Sequence, residues 1–169
     1  MNTEYISPHP NRSTLVALLR GIVWCLRRAK ARISCKILGA HARVPSSTNL
    51  GSGLTLRVPQ RLIFGENVSI GSHCHVETNL TILDGTMLAS YVAFVGNDHS
   101  TVPGESSSSS RSNASFVSIG KNCWVGHGVI FVGNIAVADN VIIGAGAVVT
   151  RDLPDSGTYV GVPAKKLDR

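Results

Sequence analysis

Asn97, Asp98 and His99 stand together where an otherwise apolar pattern breaks most sharply. A histidine titrates near neutral pH and can act as a general base, and an adjacent carboxylate can fix its tautomer. On a loop held by a rigid scaffold, these residue types could take a proton from a hydroxyl. They could equally satisfy backbone groups at a loop exit and leave His99 solvated. A second grouping is His73-Cys74-His75, which on a strand points two imidazoles one way and the thiol the other, a spacing able to chelate zinc. The four cysteines (Cys25, Cys35, Cys74, Cys123) show no CxxC spacing. Cys74 and Cys123 read as small core hydrophobes, and a reducing compartment fits.

The scaffold is legible as a period of six. Blocks headed by a large apolar residue start at Phe64, Ile70, Val76, Ile82, Leu88 and Phe94, and again at Ile119, Val125, Phe131, Val137, Ile143 and Val149. In a chain that is 43% apolar, such regularity is roughly a one-in-a-thousand accident. The second position is small in most blocks, as at Gly65, Gly71, Gly126 and Gly144, and the fifth is apolar in nearly all. That period is neither helical nor simple strand alternation; it predicts an all-β parallel β-helix whose corners need small residues. Weaker matches at Val44, Leu50 and Val58 extend the coiling toward residue 40. The expected organisation is an arm and helix over 1–36, a β-helix over 37–157 and a tail over 158–169. An insert at about 99–118, with its run Ser106 to Ser110, cannot continue the ladder and should protrude as a loop.

Charge is uneven along the chain. Between Glu4 and Glu66 there is no acidic residue, yet Arg12, Arg20, Arg27, Arg28, Lys30, Arg32, Lys36, Arg43, Arg57 and Arg61 all fall there. Leu15, Leu18, Leu19, Ile22, Leu26 and Ile33 recur at helical spacing after Ser13, a candidate N-cap, so 14–33 should be an amphipathic basic helix. It would cap the open end of the solenoid, or lie on an anionic membrane through 13–36 with Trp24 at head-group depth. Nucleic acid is the least expected partner, since the segment has no recognisable binding motif and few aromatics to stack bases. Residues 15–26 carry Arg20 and no secretory pattern, so the expected location is cytoplasmic, at the inner membrane face if the helix binds lipid.

The stretches Ile119-Gly-Lys-Asn-Cys-Trp-Val-Gly-His127, Ile143 to Pro154 and Gly161-Val-Pro-Ala164 resemble the hexapeptide-repeat acyltransferases, left-handed parallel β-helix enzymes that include sugar O-acetyltransferases. The resemblance covers roughly 60–165 and implies a homotrimer with acetyl-coenzyme A between adjacent β-helices. It implies His99 as the catalytic base, supported by Asn97, Asp98 and Trp124. It also implies His127, Ala145, Thr150, Arg151 and Lys165 as cofactor-binding residues, with no metal. The implied reaction is O-acetylation of a sugar or polysaccharide-precursor hydroxyl. Alternatives are the amine of an amino sugar, or the hydroxyl of serine or an antibiotic. A zinc-dependent carbonic anhydrase shares the fold, but His73, His75 and His127 do not reproduce its ligand arrangement.

Overall fold

The computed structural model describes residues 14–58, 60–96 and 115–168. The arm expected over 1–12, the cap Ser13 and the residues Asn97, Asp98 and His99 lie outside them. One helix, α1 (Thr14–Ile37), precedes seventeen short strands that wind into about six turns.

Each turn lays one strand on each of three sheets. The first sheet stacks β1 (His41–Arg43), β4 (Arg61–Phe64), β7 (Asn79–Ile82), β10 (Phe116–Ile119) and β13 (Ile135–Val137). The second stacks β2 (Asn49–Leu50), β5 (Ser69–Ile70), β8 (Met87–Leu88), β11 (Trp124–Val125), β14 (Val141–Ile143) and β16 (Gly157–Val160), and β17 (Lys165–Lys166) folds back on β16. The third stacks β3 (Thr55–Leu56), β6 (His75–Val76), β9 (Ala93–Val95), β12 (Ile130–Val132) and β15 (Val148–Val149). All pairs are parallel except β16–β17.

All twelve block heads are buried, as are Val44, Leu50 and Val58. Cys74 and Cys123 point inward as free thiols. Phe94 and Phe131 stack in consecutive turns with ring centroids 4.9 Å apart. The one polar fifth position described, Thr86, is fully buried; its hydroxyl donates to Gly120 O at 2.7 Å and accepts from Cys123 N at 3.0 Å. Small corner residues follow from stacking: a side chain at Gly71 or Gly126 would collide with the backbone at Ala89 or Ala145 of the next turn.

Three expectations need correction. The insert ends before residue 118, because Phe116–Ile119 is a strand whose Val117 is buried between Leu80 and Ile135. The β-helix continues past 157 into the stretch expected as the tail: β16 pairs in parallel with β14 and buries Tyr159, and Ala164 is buried too.

The third correction concerns α1. It contacts β1, β2 and β3, one strand from each sheet, so it lies across the open end of the solenoid. It does so with the face that carries arginines. Ala31 and Cys35 are buried, and Arg27 and Arg28 donate to Leu50 O and Thr48 O at 2.9 and 3.0 Å, with Arg32 donating to Val44 O. Some carbonyls of each turn point back to the previous one, as when Asn49 N donates to Val68 O, so their counterparts in the first turn, at Val44, Thr48 and Leu50, lack a ladder partner. Arginine supplies the donors that an apolar face could not. Trp24 is half-buried on the solenoid side, spaced with Arg28, Ala31 and Cys35. Leu18, Leu19, Ile22, Leu26, Ile33 and Ile37 are exposed instead. The helix runs past residue 33 and stops at Gly39, whose φ of 72° lets Ala40 N reach Cys35 O.

Candidate active site

The two described residues that flank 97–114 meet at one corner of the solenoid. β9 ends at Val95, Gly96 follows it, and the described chain resumes at Ser115. Ser115 Oγ is hydrogen-bonded to Gly96 O and to Thr78 Oγ1, the latter at 3.0 Å, and both hydroxyls are buried. A side chain at Gly96 would overlap Ser115. This clasp joins Gly96 and Ser115, the residues flanking 97–114, at the corner between the third and first sheets. Sequence reasoning missed both Thr78 and Ser115, because each reads as ordinary polar residue beside a loop.

Thr150 and Arg151 share that corner. Val95 pairs with Val132 and Phe131 with Val149, so in the same register Thr150 follows Val95 and Val132 up the stack, and Arg151 follows Gly96 and Gly133. Thr150 and Arg151 are exposed.

His127 and Ala145 occupy a different corner, between the second and third sheets. His127 O accepts from Gly146 N at 2.8 Å, and both residues are exposed. Below them Tyr91 lies between His73 and His127, 5.2 Å from each ring centroid, an aromatic column with no counterpart in the sequence reading. Only alignment of Tyr91 with His73 eighteen positions earlier could have signalled it. Lys165 joins this corner from above: it pairs with Val160, whose side chain sits over Gly144. Among the described residues neither Arg151 nor Lys165 has a carboxylate within 4.0 Å.

Trp124 stands apart from both corners. It is 55% exposed on the outer face of the second sheet, in register with exposed Met87 and Ile142. One chain therefore does not gather the expected residues: His127, Ala145 and Lys165 line one corner, Thr150 and Arg151 another, and Trp124 a face between turns.

Two other chemistries find little support. Cys74 and Cys123 have thiols pushed up by burial, which disfavours a thiolate nucleophile. His73 stacks on Tyr91, and His75 Nε2 is 2.9 Å from Glu77 Oε1. Among the described residues no three His, Cys, Asp or Glu side chains are grouped to hold a metal.

The family described as "Bacterial transferase hexapeptide (six repeats)" matches residues 116–151. Nodulation protein L of Rhizobium meliloti is 33% identical over 124 residues, covering 69% of this chain and 67% of that protein. The chain belongs to the hexapeptide-repeat acyltransferase family. The galactoside O-acetyltransferase of Escherichia coli is 28% identical over 130 residues, 70% of this chain, and the chain spans only 62% of that enzyme's length. The maltose O-acetyltransferase of Clostridium difficile 630 superposes with a TM-score of 0.65 at 24% identity, over 87% of this chain and 88% of that one. The fold is thus the left-handed parallel β-helix of this hexapeptide-repeat family. That hand is the rarer one for parallel crossovers.

Proposed function

We propose that the protein is an acetyl-coenzyme A-dependent O-acetyltransferase acting on a sugar or polysaccharide-precursor hydroxyl. The observation that carries this reading is the clasp of Gly96, Ser115 and Thr78, which ties the segment bearing His99 to the corner that also carries Thr150 and Arg151. His99 removes the acceptor hydroxyl proton as that oxygen attacks the thioester carbonyl. A backbone N–H stabilises the oxyanion, and collapse expels the coenzyme A thiolate, which takes up a proton. Asn97 and Asp98 orient His99. No acyl-enzyme forms, in keeping with buried, protonated thiols.

The separation of the two corners favours a site built between subunits. Thr150 and Arg151 of one copy would face Trp124, His127, Ala145 and Lys165 of the next, which makes a closed homotrimer the active unit. Coenzyme A carries several negative charges and an extended amide arm, so it suits Arg151 and Lys165 together with free backbone groups beside Ala145. A solved galactoside acetyltransferase of this fold is in complex with coenzyme A.

Replacing His99 by Ala tests the mechanism. Acetyl transfer to a panel of sugars, amino sugars and serine should fall by about two to four orders of magnitude, with coenzyme A binding by calorimetry unchanged. A variant keeping more than about a tenth of wild-type turnover would remove His99 from the reaction. A fully active monomer in sedimentation would refute the intersubunit site.

A further inference from the structure

The face of α1 turned away from the solenoid packs against none of the described strands. Leu18, Leu19, Ile22, Leu26, Ile33 and Ile37 are 62, 52, 48, 65, 58 and 79% exposed. At 3.6 residues per turn they fall on one stripe, opposite the face that buries Ala31 and Cys35. Lys30 and Lys36 border the stripe on its two sides. Because α1 spans the end of the prism, the stripe points away from it roughly along the solenoid axis.

We propose that this stripe docks the protein on an anionic lipid bilayer. An exposed apolar stripe with flanking lysines suits the boundary between acyl chains and head groups: leucine and isoleucine enter, and ammonium groups meet phosphates. Charge selects this occupant over a second copy of the helix. The surrounding segment from residue 5 to residue 65 carries ten Lys and Arg and no Asp or Glu, so a copy of itself is repelled and an anionic surface attracted. No helix of the described residues is long and apolar enough to cross a membrane, so the contact is peripheral. The docked protein stands upright on α1. β9, from which the insert departs, then lies two strand spacings above the first turn, about 10 Å. An acceptor sugar carried on a membrane lipid could meet the site from that side.

The test uses the full-length protein with vesicles of phosphatidylcholine alone or mixed with phosphatidylglycerol, separated by flotation. Wild type should float with the anionic vesicles at least about tenfold more than with the neutral ones, and 0.5 M salt should release much of it. I22E/L26E should lower binding at least about tenfold while keeping the wild-type melting temperature and sedimentation coefficient. K30Q/K36Q alters only exposed ammonium groups and should lower it about fivefold per lysine. The proposal falls if wild type does not float, floats equally with both vesicles, or binds unchanged in both variants. It falls also if I22E/L26E reduces the oligomer, which would make the stripe a contact between copies. None of these readouts depends on acetyl transfer, so failure here leaves the catalytic reading standing, and the reverse.

Discussion

In the solenoid body the apolar block heads all face inward; along α1 most large apolar residues face away, and Arg27, Arg28 and Arg32 turn toward the solenoid beside the small residues Ala31 and Cys35. Both regions obey one requirement, that buried backbone groups find partners. Within the body most strand N–H and C=O groups pair with an adjacent turn, above or below, so the inward side chains are free to serve packing. At the open end the carbonyls at Val44, Thr48 and Leu50 have no earlier turn, and polar side chains must come inward to meet them. Apolar content by itself therefore does not identify the buried face of a helix that closes a sheet edge.

The largest effect should come from the body. Phe131 is fully buried against Phe94, and removing its ring opens a cavity that the stacked strands cannot close. Phe131→Ala should cost about 3–5 kcal/mol in urea unfolding at fixed protein concentration. A cost below about 1 kcal/mol would mean that the inward ladder is not what holds the turns together.

A smaller but more pointed effect separates the two faces of α1. R27M/R28M keeps the stems but strands the carbonyls of Leu50 and Thr48. Each buried orphan costs about 1–3 kcal/mol, reduced here because the arginines are only partly buried. I22E/L26E, on the exposed face, should stay within about 0.5 kcal/mol per substitution. If the outer pair proves the more damaging, the inverted orientation of the helix is wrong.

The sequence revealed the body almost residue by residue, because the period of six repeats the same environment at every turn. Each block head from Phe64 to Val149 has a like neighbour one turn away, and the signal accumulates. It failed where the environment occurs once. Arg27 and Arg28 look like surface charge until the first-turn carbonyls are placed beneath them. Ser115 and Thr78 meet across 37 positions, and neither belongs to the apolar pattern. The candidate site falls between these cases. Motif resemblance named Trp124, His127, Ala145, Thr150, Arg151 and Lys165, but a linear motif does not carry the triangular cross-section that puts Trp124 on a sheet face and the others at two separate corners.

The smallest effect belongs to the corners, where the body uses polar side chains much as its end does. Asp84 Oδ1 accepts from Glu66 N at 2.9 Å, Asp139 from Lys121 N at 2.6 Å and Asp152 from Ala136 N at 2.7 Å, so side chains satisfy donors where the chain turns. The Glu66 N–H, and after it Lys121 at 3.5 Å, holds the Asp84 carboxyl below the usual carboxylate range. A depressed folded value means the charged form is favoured by folding. Its contribution is complete above the unfolded value of about 3.9 and fades as pH falls through the folded one. Asp84→Asn removes that titration while keeping an oxygen acceptor. The stability gap between wild type and variant should be greatest near neutral pH and close on acidification. It should stay below the arginine effect at every pH, because Asp84 is open to water and its ion pair is screened. A gap that widened toward acid would show that charge at this corner opposes the fold, and would break the likeness between the corners and the capped end.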